Sequence, residues 1–439
     1  MAVLQLLSQT AKQTMIAPVL TLLRSAHRIL IAALLPAMMF AQPFTWQQIK
    51  EKFDATNPTL KAAQLNIDES RAAEITAYLR PNPQFALTAD GFQVSRNQGV
   101  WRPFSGVVET PSISYLHERQ HKRELRLAGA KISTSIAATT YLDQERSLTF
   151  NLRNAFVQTL QAKAGLQNAM ENLDYWDREL EVNRTRFKAG DLALADLNRL
   201  ELQRVQFESD LATASVNLRT AKIQLLTLLN DRTPIEQFDV TEPYDFVERL
   251  IPVEEFRNIA LESRPDLKTA IRQVELARSA HRLAIANGST DPIFSIWYSH
   301  NPSFSNTFAN ETMGGSISLP LRIFDRNQGE KARTAIDIRR NERLRDATQA
   351  QVFSDVDSAY VTVLSVLSLL HPYKTKYLPL AIDVRDRIAF SYKNGGASLL
   401  DYLDAEKSYR DTRSEYLNLI GSYLTAAAQM NMAVGREVI

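Results

Sequence analysis

One phrase is written twice in this chain. RFKAGDLALADLNRLE runs from Arg186 to Glu201, and SYKNGGASLLDYLDAE runs from Ser391 to Glu406. Both read aromatic, Lys, any residue, Gly, then Asp six after the Gly and Glu eleven after it. Phe187 answers to Tyr392, Lys188 to Lys393, Gly190 to Gly395, Asp196 to Asp401 and Glu201 to Glu406, each pair 205 positions apart. A phrase repeated at one offset marks an internally duplicated fold, in which each half builds the same unit.

Long helices surround the phrase. There is no Pro from Ser112 to Thr233, and Gly occurs there only at 129, 165 and 190. Residues 321–371 and 380–439 also hold back Pro. After Gly190 a seam is legible at Leu197, Leu200, Arg204, Phe207, Leu211, Ala214, Leu218, Ala221, Leu225 and Leu228. Its steps alternate three and four, the 3.5-residue period of left-handed coiled-coil packing. The second copy keeps the register at Tyr402, Ala405, Tyr409, Thr412, Tyr416, Leu419, Tyr423, Ala426, Met430 and Ala433. Residues 130–188, as one helix rising 1.5 Å per residue, would run roughly 90 Å. A compact domain has no use for that length, so a chain of 439 residues is expected to be elongated.

Earlier in each half the period changes. Residues 57–83 parallel 264–292, with Pro58 matching Pro265, Leu60 matching Leu267 and Lys61 matching Lys268. Each stretch ends at a Pro or Gly break and passes into period-two sequence. Phe85, Leu87 and Ala89 alternate with Ala86, Thr88 and Asp90, and Ile113 and Tyr115 with Ser112 and Ser114. In the second half Phe294, Ile296 and Tyr298 alternate with Ser295 and Ser299, and Ile317, Leu319 and Leu321 with Ser316 and Ser318. The reading is two strands per half, joined by loops containing RNQG and NPSFSNTFAN, with one apolar and one small-polar face. Such faces suit a small soluble sheet packed on helices as well as a transmembrane barrel whose outer face meets lipid. Barrels need about eight strands or more, and open edges are forbidden in lipid. If these four strands span a membrane, several chains must complete one barrel.

Composition narrows the function classes. Basic and acidic residues nearly balance at 51 and 49, giving no electrostatic case for nucleic acid. The chain has no Cys, which excludes disulfides, thiolate metal sites, a Cys nucleophile and a lipid-modified Cys. Lys12, Arg24, His27 and Arg28 precede an apolar run from Ile29 to Phe40 and then Ala41, the layout of an export signal over residues 1–41. That run is shorter than the ~20 residues a spanning helix needs. A buried N-terminal helix is the other reading. No other segment reads as a transmembrane helix, so no helical anchor is expected. There is no Gly-rich phosphate loop, nucleophile elbow or HExxH. His117 and His121 are the one pair at metal-ligand spacing, and their polar surroundings read as a solvated face. An enzyme, a cofactor and a metal site are therefore not expected.

Taken together, the duplicated halves, the paired turn phrases, NPTL and RPDL at helix starts, and SISLPLRIFDRNQGEKAR at a strand-to-helix passage resemble the TolC family of outer-membrane efflux proteins over essentially the whole mature chain. The resemblance implies a mainly helical α+β fold, duplicated as 42–245 and 246–439. It implies a homotrimer in which each chain gives four strands to a 12-stranded transmembrane β-barrel and its helices to a long periplasmic tube. Such a trimer is an exit duct that works with a periplasmic adaptor and an inner-membrane pump, here of RND type. In the family the Gly phrases form the two turns at the periplasmic end, where a ring of adaptors grips. Phe187, Lys188 and Gly190 in one turn, and Lys393, Gly395 and Gly396 in the other, fall there. Asp401 and Asp404 match the family's constricting carboxylates, whereas the first copy carries Arg199 in place of the second acid. Asp196 and Tyr392 match residues that tie the two hairpins together; the Arg partner expected two after the second Gly is Ala397 here. RIFDRNQG resembles the branch that partners heavy-metal exporters. The rival reading is a soluble periplasmic coiled-coil adaptor, for which the chain offers no lipoyl-like Gly-rich segment.

Overall fold

Each half of the chain builds the same succession of elements. The computed structural model describes residues 43–247, 250–302 and 310–439. The expected export signal and most of the NPSFSNTFAN loop lie outside the described residues. The first half runs α1 (Trp46–Thr56), α2 (Pro58–Tyr78), β1 (Gln84–Asp90), β2 (Val108–Leu116), α3 (Lys122–Ala189) and α4 (Leu194–Leu228). The second runs α5 (Val253–Ser263), α6 (Pro265–Asn287), β3 (Ile293–His300), β4 (Glu311–Ser318), α7 (Gln328–Pro372), α8 (Leu378–Lys393) and α9 (Leu399–Val434). The matched prolines open α2 and α6, where a fixed φ is already helical and the missing N–H costs nothing. The Asn57 side chain accepts from the amides of Thr59 at 2.9 Å and Leu60 at 3.1 Å, capping α2. The short helices α1 and α5 extend the duplication upstream of the matched prolines.

Helix α3 is unbroken for 68 residues, about 100 Å long. Its counterpart α7 meets Pro372 and continues through a π-turn at Tyr373–Tyr377 into α8. The wider turn absorbs the hydrogen bond that proline cannot give. None of the residues on the two heptad seams is exposed. Leu200, Phe207, Ala221 and Leu225 are buried on α4, and Tyr402, Ala405, Tyr409, Leu419, Tyr423, Ala426, Met430 and Ala433 on α9. Three buried clusters line the helical body. One joins α1–α4 around Phe53, Phe156 and Leu225, a second joins α5, α6, α7 and α9 around Phe256, Val356 and Tyr423, and a third lies near the Gly turns.

One expectation is corrected. Gln328–Lys393 contains an 18-residue window long and apolar enough to cross a membrane by composition. Its apolar residues are there for another reason: Val352, Val356, Val363 and Leu370 pack into the second cluster. The remainder of that face is exposed in the single chain, at Val361, Leu364 and Leu369.

The strands form one antiparallel sheet in the order β1-β2-β3-β4. Phe85 faces Ile113, which faces Ile296; Tyr115 faces Phe294, which faces Ile317. These residues share one face, and Ser114, Ser295 and Ser316 line up on the other. Along β3 the apolar-face residues Phe294, Ile296 and Tyr298 are exposed while the alternate ones are half-buried, so the small-polar face is the concave one. Trp297 breaks that chemistry: it lies on the small-polar face, where a β-carbon at Gly314 would stand 2.5 Å from its ring. The fourth strand ends at Ser318 rather than reaching Leu321, because Pro320 cannot donate to the ladder. It instead begins earlier, at Glu311. Among the described residues the outer backbone edges of β1 and β4 have no partner strand.

The sheet is tied to the helices by a buried ion pair. The Lys122 ammonium, 4% exposed at the start of α3, donates to Asp291 at 2.6 Å and to the Ser289 carbonyl at 3.2 Å. The other Asp291 oxygen accepts from the Arg119 amide at 2.9 Å. This joins the exit of the first strand pair to the entry of the second. Asp291→Asn leaves a buried ammonium without its counter-charge and is expected to cost about 3–5 kcal/mol, read as a lowered Tm; Lys122→Met combined with Asp291→Leu should recover most of the loss. An unchanged Tm for the single variant would show that the pair does not hold the junction.

Candidate functional site: the paired turns at the end of the tube

Gly190 closes α3 with φ +87° and Gly395 follows α8 with φ +77°. In the first turn the Gly190 amide donates to the Phe187 carbonyl at 3.0 Å and the Asp191 amide to Arg186 at 2.9 Å. In the second the Gly395 amide donates to Tyr392 at 3.1 Å and the Gly396 amide to Ser391 at 2.8 Å. A β-carbon at Gly190 or Gly395 would meet no atom within 4 Å, so the backbone's left-handed conformation, not space, selects glycine. At Gly396 a β-carbon would come within 2.8 Å of the Ser391 hydroxyl. Phe187 is half-buried and Lys188 exposed. Lys393 reaches across to the other hairpin and donates to Glu179 of α3 at 2.8 Å.

Beneath the turns the two hairpins share one core. Trp176, Leu180, Leu200 and Phe207 from α3 and α4 meet Ala389, Tyr392, Leu399 and Tyr402 from the second hairpin. Their rings form a stack, with Trp176 5.1 Å from Phe207 and 6.1 Å from Tyr402, and Tyr402 5.0 Å from Tyr392 at an interplanar angle of 4°. The Trp176 indole N–H donates to the Leu200 carbonyl at 3.2 Å, so the buried donor is satisfied.

Tyr392 is buried, and its hydroxyl donates to Asn183 Oδ1 of α3 at 3.1 Å. Asn183 is itself held by donating to the Glu179 carbonyl at 2.9 Å. The Arg186 guanidinium lies 5.1 Å from the Tyr392 ring centroid. A cation thus comes from the first hairpin where the sequence pattern had pointed to position 397. Burial pushes the Tyr392 hydroxyl above its ordinary pKa and keeps it a donor. Asp196 does not receive that hydrogen bond; its nearest ion partner is Arg199, at 3.7 Å one turn along α4. Asn183 and Arg186 carry no mark in the repeated phrase; the one signal is that they lie three apart, on the face of α3 that meets Tyr392.

Asp401 and Asp404 both lie exposed on α9, one turn apart. Asp401 completes a capping box. Its carboxylate accepts from the Ser398 amide at 3.0 Å and hydroxyl at 2.7 Å, and its own amide donates to the Ser398 oxygen at 3.2 Å. The Ser398 hydroxyl holds the Asp401 carboxyl below the usual carboxylate range. Among the described residues neither acid pairs with Lys or Arg. The two glutamates of the repeated phrase differ as well. Glu201 pairs with Arg184 at 2.8 Å, whereas Glu406 is buried, and burial raises its pKa. No group of three or more His, Asp or Glu converges as metal ligands among the described residues.

The pattern of the family described as "Outer membrane efflux protein" matches residues 51–231 and 257–436, one block in each half. The chain is 23% identical over 400 residues to the cobalt-zinc-cadmium resistance protein CzcC of Cupriavidus metallidurans, covering 90% of this chain and 91% of that one. It is 23% identical to the outer membrane protein TolC of Escherichia coli K12, over 88% and 81% of the two chains. The fold superimposes on the crystal structure of CusC with a TM-score of 0.75 at 18% identity, over 90% of this chain and 93% of that one. Members of this family are trimeric outer-membrane channels, not enzymes, and work with adaptors and inner-membrane pumps. With both halves matched, the chain belongs to the TolC family of outer membrane efflux proteins: it is the outer-membrane exit channel of a tripartite efflux system, with a large periplasmic helical part, and not a soluble adaptor.

Proposed function

We propose that three copies of this chain close one barrel and one tube, and that the paired Gly turns form the tube's periplasmic entrance. The observation that carries this reading is the sheet with two unpaired edges and an exposed apolar face. In lipid each bare edge would leave backbone groups without partners, and β4 of one copy against β1 of the next removes both. Purified in detergent, the protein should run as a stable trimer; a monodisperse monomer by light scattering would defeat the reading.

At the entrance, Phe187, Lys188 and Gly190 with Gly395 and Gly396 present two similar turns per chain to a periplasmic adaptor. Lys393 contributes by holding the hairpins together, since its ammonium is committed to Glu179. Tyr392 acts as the latch through Asn183 and Arg186, with Asp196 as a neighbouring charge. Tyr392→Phe keeps the ring stack and removes one hydrogen bond of about 1 kcal/mol, which should raise the open population roughly fivefold. Unchanged basal conductance would remove Tyr392 from the latch.

Asp401 and Asp404 are proposed as the gate. Three chains place six carboxylates around one aperture, where like charges attract cations and hold multivalent ones. The pump, of RND type, chooses the cargo; the similarity to a cobalt-zinc-cadmium resistance protein supports metal ions as that cargo. In planar bilayers the wild type should conduct weakly, prefer cations and be blocked by trivalent hexammine cobalt from the periplasmic side. Asp401→Asn with Asp404→Asn should lose the block and most of the preference. If both persist, the constriction lies elsewhere.

A further inference from the structure

The loop between β1 and β2 carries a surface that the duct does not use. Strand β1 leaves the helical body at Gln84 and ends at Asp90, so residues 91–107 lie at the far end of the sheet. In an outer-membrane channel with its tube in the periplasm, that end faces outward. The loop is built rather than trailing. Gly91 has φ +89°, and a β-carbon there would fall 2.3 Å from the Gly106 carbonyl, which sets a narrow neck. The Gln93 amide donates to the Pro103 carbonyl at 3.0 Å, and the Asn97 and Val100 backbones bond each other at 3.1 and 3.0 Å. The Gln93 side chain donates to the Val100 carbonyl at 3.0 Å and accepts from the Arg102 amide at 2.6 Å.

What this hairpin displays is apolar and basic. Val94 is 89% exposed, Phe104 73%, and Phe92, Val100 and Trp101 each 50%. Phe92 and Phe104 meet edge to face at 6.0 Å, so the rings are already ordered. Arg96 and Arg102 are exposed, make no ion pair among the described residues, and residues 91–107 contain no acid. Five large apolar side chains on one short loop are costly in water and call for a cover. Three such loops meeting over the pore would bring six guanidinium groups together, which repel. The phosphate-bearing headgroup region of a lipid leaflet answers both demands: rings settle at the boundary of water and acyl chains, and arginines fork onto phosphate. The apolar face of β1, with Phe85 and Leu87 exposed, runs toward the same loop.

We infer that the β1–β2 hairpin is a lipid anchor, with Phe92, Trp101 and Phe104 seated in the outer leaflet and Arg96 and Arg102 bound to its headgroup phosphates. This rests on the proposed trimeric barrel. The chain has no cysteine, so single spin labels can be introduced at Val94 and Ser105, with Thr88 on the small-polar face as the water reference. In vesicles of phosphatidylethanolamine and phosphatidylglycerol, the two loop labels should collide with oxygen several-fold more, relative to a water-soluble nickel chelate, than the Thr88 label does. Nickel-dominated collisions at both would overturn the anchor. In the second arm, spin-labelled phosphatidylglycerol should associate with the wild-type trimer several-fold more than spin-labelled phosphatidylcholine. Arg96→Gln with Arg102→Gln should remove that preference and leave phosphatidylcholine unchanged; a preference that persists overturns phosphate recognition by these residues. A conducting trimer with water-exposed loop labels defeats this inference alone, whereas a monomer defeats the barrel as well.

Discussion

Backbone hydrogen bonding at the two sheet edges is the constraint from which the rest follows. A strand in water can leave its outer N–H and C=O groups to solvent, but in hydrocarbon each bare group costs several kcal/mol. The four strands of this chain bond each other in sequence order, and among the described residues no strand pairs with the outer edge of β1 or β4. On the proposed reading the barrel is therefore a property of the assembly, and the fold of one chain is complete only in company. The apolar windows left exposed on α7 obey the same logic. They fill one cluster inside the chain and present their remaining face where a neighbouring tube wall would stand.

The helical end is coupled more tightly than a pair of independent hairpins would be. Lys393 to Glu179, Tyr392 to Asn183, and the ring stack from Phe207 through Trp176 to Tyr402 and Tyr392 all cross from one hairpin to the other. Moving one hairpin alone would unstack aromatic rings and strand Tyr392 and Lys393 without partners. In the proposed channel an opening motion would have two routes. Both hairpins of a chain swing together, with the break falling between chains, or the hydrogen bonds yield first while the flat, parallel rings slide. Stacked rings resist separation more than sliding, because sliding keeps most of the contact area.

Much of this was legible in the sequence because it is periodic. The 3.5-residue seams predicted positions on α4 and α9 that are all buried or half-buried, and the period-two runs predicted four strands. What escaped lacks a period. Trp297 sits among serines on the concave face because Gly314 on the next strand leaves room for an indole, a pairing set by register and invisible along one strand. The continuity of α7 into α8 also escapes a sequence reading, because Pro372 reads as a stop, whereas a π-turn carries the helix through it. At the tip, the glycines were read correctly as left-handed turns, but the partners of Tyr392 and Lys393 come from α3, more than 200 residues away in sequence.

The repeated phrase is first of all a grammar for turning, and its second copy leaves its acids without a Lys or Arg partner among the described residues. Gly190 and Gly395 each supply a left-handed residue. Asp196 and Asp401 then occupy the same third position of the helix that follows, where a carboxylate faces the positive end of the helix dipole. That shared duty explains why the acid recurs at a fixed distance from the glycine in both halves. Beyond it the copies diverge. In the first, Arg199 stands one turn on and draws Asp196 into a local pair; in the second, the same place is Asp404, and among the described residues no base pairs with it. Ser398 caps α9 while Ala193 offers α4 no side-chain cap. Asp401 is thereby fixed in direction and held below the usual carboxylate range, with no Lys or Arg pairing with it among the described residues. The two copies supply equivalent turns, and the residue three after the acid, Arg199 in the first and Asp404 in the second, leaves the first acid paired and the second without a base among the described residues.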